Sequence, residues 1–93
     1  MDWIKIILYQ PLKIISMSAS IYKTIFAKSL SISEKFDENL KYNEIPEWDS
    51  IAHMTLIAEL ENQFNISLET DDIIDFSSYK KGFEILKKYD VKI

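Results

Sequence analysis

The chain has no cysteine, no arginine, one glycine, two prolines and one histidine. Each scarcity removes a class of protein. Without cysteine there is no disulfide scaffold, no thiolate nucleophile and no zinc site built on sulfur. A single histidine argues equally against a metal centre of histidine ligands. With so few glycines and prolines, the tight corners of a β-sandwich or barrel are not available. Nucleic-acid readers favour arginine for bases and phosphates, so its absence, together with a net charge of −4, argues against DNA or RNA as a partner. What remains is 93 residues, 47% hydrophobic and 28% charged, the balance of an ordinary globular domain. That length has no room for a second core. Apolar packing alone must hold the fold, most simply as a small all-α bundle.

The charge is unevenly placed. Residues 1–33 hold four lysines against one aspartate, and residues 34–75 hold twelve acids against two lysines. Residues 76–93 return to five lysines against two acids. An acidic middle of this kind suits a basic protein partner, because complementary fields steer association. The first sixteen residues, MDWIKIILYQPLKIIS, are almost uniformly apolar. Asp2 stands where a secretory signal wants basic residues, and no small-residue cleavage site follows. Lys13 interrupts the stretch before the roughly twenty apolar residues a membrane span requires. Residues 1–16 therefore read as an apolar extension packed on the domain or on a second copy, ahead of a domain at 17–93. A membrane-surface anchor through Trp3, Tyr9 and the lysines is the sharper alternative. With no clear export signal, a cytoplasmic location is expected.

Three main helices, one short helix and a long first loop are expected. An amphipathic helix is predicted over Ser18–Leu30, capped by Ser18 or Ser20, with Ile21, Tyr22, Ile25 and Phe26 on one side. Periodicity then fades from Ser31 to Asp49, where Phe36, Leu40 and Ile45 are expected to plug into the core. Pro46 keeps Ile45 out of helical geometry. The strongest helix runs from Ser50, its expected N-cap, to Phe64, with Asp49 adding charge where the helix dipole favours it. A brief acidic turn, DDIIDF, precedes a last helix opened by Ser77 or Ser78, with Tyr79, Gly82, Phe83 and Leu86 on one face.

The helix from Ser50 carries two apolar stripes. Leu56, Ile57, Leu60 and Phe64 group on one face with His53 a turn nearer the start, which is ordinary core. Ile51, Met54 and Ala58 fall on a second face. One core needs one stripe, so the second is expected to meet a partner unless the N-terminal segment covers it; methionine suits surfaces that adapt to several partners. A serine at a helix N-terminus is most simply a cap, yet the same place tolerates a phosphate well, because backbone N–H groups and the dipole favour an anion.

Asp49-Ser50-Ile51, followed by an amphipathic helix ending Leu60-Glu61-Asn62-Gln63-Phe64-Asn65-Ile66, resembles the acyl carrier proteins, and the turn TDDIIDF and the segment SSYKKGFEIL look like that family's third and fourth helices. The resemblance covers about residues 18–90. It implies a four-helix bundle of acyl-carrier type in which Ser50 receives a 4′-phosphopantetheine arm from coenzyme A. A Mg²⁺-dependent phosphopantetheinyl transferase makes that transfer, with Asp49 presenting the serine. The arm's thiol would supply the thioester chemistry that a chain without cysteine cannot. Further partners implied are a ligase that loads an acyl or aminoacyl group and acyltransferase-type enzymes. Ile51, Met54 and Glu61 would form part of the surface these partners read. Ile57, Leu60, Leu68 and Ile74 could part to admit an acyl chain.

Where the family often has glycine two residues ahead of the Asp-Ser pair, this chain has Glu47, and Ile51 replaces the usual leucine. Thr55 and Asn62 thin the acids that carriers of fatty-acid synthesis crowd along this helix. The departures point to a dedicated biosynthetic pathway rather than housekeeping fatty-acid synthesis. Rival readings have less to stand on. Ser50 and His53 lie three apart on one helix, near enough for a nucleophile and base, but no third group or oxyanion site accompanies them. Asp71, Asp72 and Asp75 lack the ligand alternation of a calcium loop. A small helical interaction module without a prosthetic group explains the second stripe, though not Asp49-Ser50.

Overall fold

The computed structural model describes residues 10–93, with side chains from Met17 onward. Among the described residues the chain forms four helices and no strand: α1 (Gln10–Leu30), α2 (Ser50–Phe64), α3 (Thr70–Asp75) and α4 (Tyr79–Lys88). The all-α expectation, with three main helices, a short one and a long first loop, is met. The start of α1 is corrected. Ser18 and Ser20 lie inside the helix, which begins at Gln10. Pro11 stands in its first turn, where a missing N–H removes no intrahelical bond. Residues 1–9, most of the predicted extension, lie outside the described residues, and no helix among those described is long and apolar enough to cross a membrane.

α1 packs on α2, and the core is built on rings. Tyr22 of α1 is wholly buried and stacks flat on Tyr79 of α4, centroids 4.7 Å apart and planes 1° from parallel. Phe26 and Phe83 meet this pair edge-on at 4.8 and 5.0 Å. Such pairs add roughly 0.5–1.5 kcal/mol each beyond their burial. The Tyr22 hydroxyl donates to the Tyr79 carbonyl at 2.7 Å. Burial pushes the Tyr79 phenol up to about 12. Of the three loop residues expected as plugs, Leu40 is buried and Phe36 and Ile45 pack half-buried against the core. The loop is tied to the start of α4 by an isolated antiparallel bridge between Lys41 and Ser78, with Tyr42 N–H on the Ser77 carbonyl and Tyr79 N–H on that of Leu40. Ser78 caps α4, its hydroxyl accepting from Lys81 N–H at 2.9 Å.

α3 is too short to hold itself, and its anchor is electrostatic. Asp72 turns inward to accept from Lys88 Nζ at 2.5 Å and from the Tyr89 hydroxyl, which in turn accepts from Glu69 N–H at 3.0 Å. The Lys88 hydrogen bond, then that of Tyr89, holds the Asp72 carboxyl below its ordinary value of 3.8. A carboxyl depressed in the folded state stabilises the fold above its unfolded value, and that contribution disappears as pH falls through the folded one. Asp72→Asn is therefore expected to melt at a lower temperature than wild type at pH 7, with the gap closing as pH falls below about 3.8. Thermal melts of both proteins at pH 7 and pH 3 check this; a gap that stays constant would show the carboxylate charge to be idle.

Candidate functional site

The start of α2 differs from expectation in one residue, and the difference matters. Asp49, not Ser50, is the N-cap: its backbone is extended (φ −98°, ψ −175°), and its Oδ1 accepts from Ala52 N–H at 2.8 Å. Its carbonyl accepts the first helical bond, from His53 N–H at 2.9 Å. Aspartate and serine cap about equally well. Here the loop brings the extended geometry to Asp49 and leaves Ser50 as the first helical residue. The Ser50 hydroxyl is thus released from capping and is exposed. It stands where the unpaired N–H groups of a 15-residue helix favour an anion.

Beside Ser50 lies a cleft of about 310 Å³, lined by Met54 of α2, Ile73 and Ile74 of α3, Phe76 and Ser77 beyond it, Tyr42 of the loop, and His53. Its walls are mainly apolar and carry no charged side chain. A hollow of about 400 Å³ between α1 and α2 is larger. Unlike the cleft it is lined by charged side chains, Lys28 and Glu59, alongside Thr24 and Gln63, and it does not reach Ser50.

His53 closes the inner end of the cleft beside Ser50. The ring is buried, 9% exposed, and both nitrogens are bonded. Trp48 Nε1 lies 3.0 Å from Nδ1, and the Ile73 carbonyl lies 2.8 Å from Nε2. An indole N–H can only donate and a carbonyl can only accept. Nδ1 therefore accepts from Trp48, and Nε2–H donates to Ile73. The ring is a neutral Nε2–H tautomer that ties its own helix, α2, to the loop through Trp48 and to α3 through Ile73. Neither nitrogen is open to a proton from Ser50, so this arrangement holds no serine–histidine dyad. Trp48, wholly buried, was not among the expected plugs. The overlooked signal is the hydrophobic staple, in which the residue before the cap packs on the fourth residue of the helix. With the cap at Asp49 those positions are Trp48 and His53. With the cap misplaced to Ser50 they become Asp49 and Met54, and no staple is visible.

The remaining predicted residues divide. Ile51 (76% exposed), Met54 (53%) and Ile74 (74%) form the open apolar surface around Ser50, and no described residue covers the second stripe. Glu61 is not free for a partner in the same way. Its carboxylate accepts from Leu68 N–H at 2.8 Å, and its carbonyl accepts from Asn65 and Ile66 N–H groups, with Asn65 left-handed (φ 54°) to end the helix. Of the four residues assigned to an acyl pocket, only Ile74 lines the cleft; Ile57, Leu60 and Leu68 are sealed in the core behind it. Asp72 faces Lys88 and Asp75 faces Lys81, so the acidic turn spends two of its carboxylates on lysines. Compared with protein families, with curated proteins and with solved structures, the chain matches none of them.

Proposed function

We propose that this chain is a carrier protein of the acyl-carrier type, a four-helix bundle that takes a 4′-phosphopantetheine arm on Ser50 and presents its cargo to the enzymes of a dedicated pathway in the cytoplasm. The observation that carries the reading is Ser50 itself, an exposed hydroxyl freed from capping at the head of α2 and opening onto an apolar cleft. When attached, the arm supplies a thiol on which an acyl or aminoacyl group rides as a thioester. Ser50 would hold its phosphate over the first N–H groups of α2, where the dipole favours an anion. Asp49 would stay on the cap, beside the phosphate, within reach of the Mg²⁺ that a phosphopantetheinyl transferase brings. Ile51, Met54 and Ile74 offer loading ligases and acyltransferases an adaptable apolar surface. The chain performs no catalysis of its own. The second reading, an interaction module without a prosthetic group, is favoured by the same exposed stripe.

The test is intact mass after incubation with coenzyme A, Mg²⁺ and a broad-specificity phosphopantetheinyl transferase. One phosphopantetheine is expected on wild type and none on Ser50→Ala, which should melt within about 0.5 kcal/mol of wild type because an exposed, non-capping serine holds nothing. No addition by that transferase or by one from the native host, on folded wild type, would leave the interaction module standing.

A further inference from the structure

The His53 bridge crosses the seam between α2 and α3 at the point where the cleft meets the core. We infer that His53 is a latch on this seam, a positioning residue that limits how far an apolar chain tethered at Ser50 can reach into the domain. The inference rests on the carrier reading above.

The order of residues along α2 sets the distances. At about 1.5 Å per residue, His53 lies roughly 5 Å along the axis from Ser50, Ile57 roughly 10 Å and Leu60 roughly 15 Å. The outer cleft holds about 310 Å³ between Met54, Ile73, Ile74 and Phe76. Beyond His53 the volume is filled: Ile57 and Leu60 are buried, as is Leu68 where the chain approaches α3. Along the α2 face, the polar ring stands between these two apolar regions, its Nε2–H on the Ile73 carbonyl and its Nδ1 under the Trp48 indole. A chain confined to the outer cleft gains roughly fourfold in affinity for each methylene it buries. A chain that must part His53 from Ile73 leaves a buried donor and a buried carbonyl unpaired, a penalty of roughly tenfold or more. Trp48, wholly enclosed, has no water to turn to. The cleft thus favours a short apolar acyl group. An ammonium inside it would find no carboxylate, since none lines the walls.

The experiment uses the unmodified full-length protein and straight-chain alkanols from butanol to decanol as probes, followed by methyl and imidazole NMR. The chain has one histidine, so its ring signals need no assignment. In wild type, affinity should climb about fourfold per methylene and then level off. Met54, Ile73 and Ile74 should shift, Ile57 and Leu60 should not, and the imidazole should keep its Nε2–H tautomer throughout. In His53→Leu the climb should continue, reaching roughly tenfold tighter binding of the longest alkanol, with Ile57 and Leu60 now responding. His53→Gln, which keeps a donor for the Ile73 carbonyl, should restore the plateau. A wild-type curve that rises without a break while Ile57 and Leu60 respond would overturn the latch. The same length dependence in wild type and His53→Leu would do so too, as would failure of any alkanol to bind. Should His53→Leu not fold, the wild-type methyl map decides alone. Because the alkanol curve needs no arm on Ser50, it succeeds or fails separately from the mass experiment that tests the carrier reading.

Discussion

Gly82→Ala is expected to lower stability by about 3 kcal/mol, although alanine is by about 1 kcal/mol the better helix former. A Cβ on Gly82 would sit 2.0 Å from the Tyr22 hydroxyl, 2.4 Å from Phe76 Cζ and 2.8 Å from Tyr22 Cζ. Something must move, and Tyr22 is poorly placed to do so. It is wholly buried, stacked on Tyr79, bonded to the Tyr79 carbonyl and met edge-on by Phe26, Phe76 and Phe83. Displacing the ring costs about 1–3 kcal/mol of overpacking, and breaking its hydroxyl bond adds a comparable amount. The melting temperature should fall by roughly 12–24 °C for a domain of this size. Tyr22→Phe removes the closest of the three contacts, so Gly82→Ala should cost at least about 1 kcal/mol less in that background. Thermal or denaturant melts of the four proteins in this cycle provide the check. An unchanged or raised melting temperature for Gly82→Ala would mean that α4 does not lie against these rings.

Trp48→Ala is expected to cost about 3–5 kcal/mol, a large part of the 5–15 kcal/mol that holds a domain of this kind. The indole is wholly buried and meets Phe26 edge-on at 5.0 Å and Tyr42 at 5.8 Å, so truncation opens a cavity under the loop. It also strips the donor from His53 Nδ1. Trp48→Phe separates the two effects: most of the packing stays while the N–H goes, for an expected loss of about 1–2 kcal/mol. The imidazole should report the change directly: Nδ1 loses its donor and its resonance should shift, while the Ile73 carbonyl, which can only accept, keeps the proton on Nε2. Denaturant melts give the stability losses and imidazole NMR gives the Nδ1 shift. Equal losses for Trp48→Phe and Trp48→Ala would place the energy in the hydrogen bond rather than in packing, contrary to expectation.

Much of the helical framework is readable without coordinates. α2 has the predicted bounds, Ser50–Phe64, and α4 opens at Ser78 as expected, with Gly82 facing the core. These features depend on spacing, caps and side-chain chemistry within a turn or two of the residue concerned. The start of α1 is misread for the same local reason. Ser18 and Ser20 are good capping residues by type, but the helix runs unbroken through both, from Gln10 to Leu30. The cap of α2 is misread because Asp49 and Ser50 have equal claims by type, and only the loop geometry chooses between them. That one-residue shift hides both the free hydroxyl and the Trp48–His53 staple.

The placement of Ser50 near the start of an amphipathic helix, the second apolar stripe and the acidic middle of the chain are all determined by sequence alone, because each is a statement about order and period. The tertiary structure alone decides what those residues touch. It turns Glu61 from an open surface acid into the acceptor that holds the α2–α3 turn. It separates Ile74, at the cleft, from Ile57, Leu60 and Leu68, behind it. It gives His53 a partner twenty residues away, on another helix. Periodicity tells which side of a helix is buried; which atom waits on the other side of the seam depends on how the helices pack.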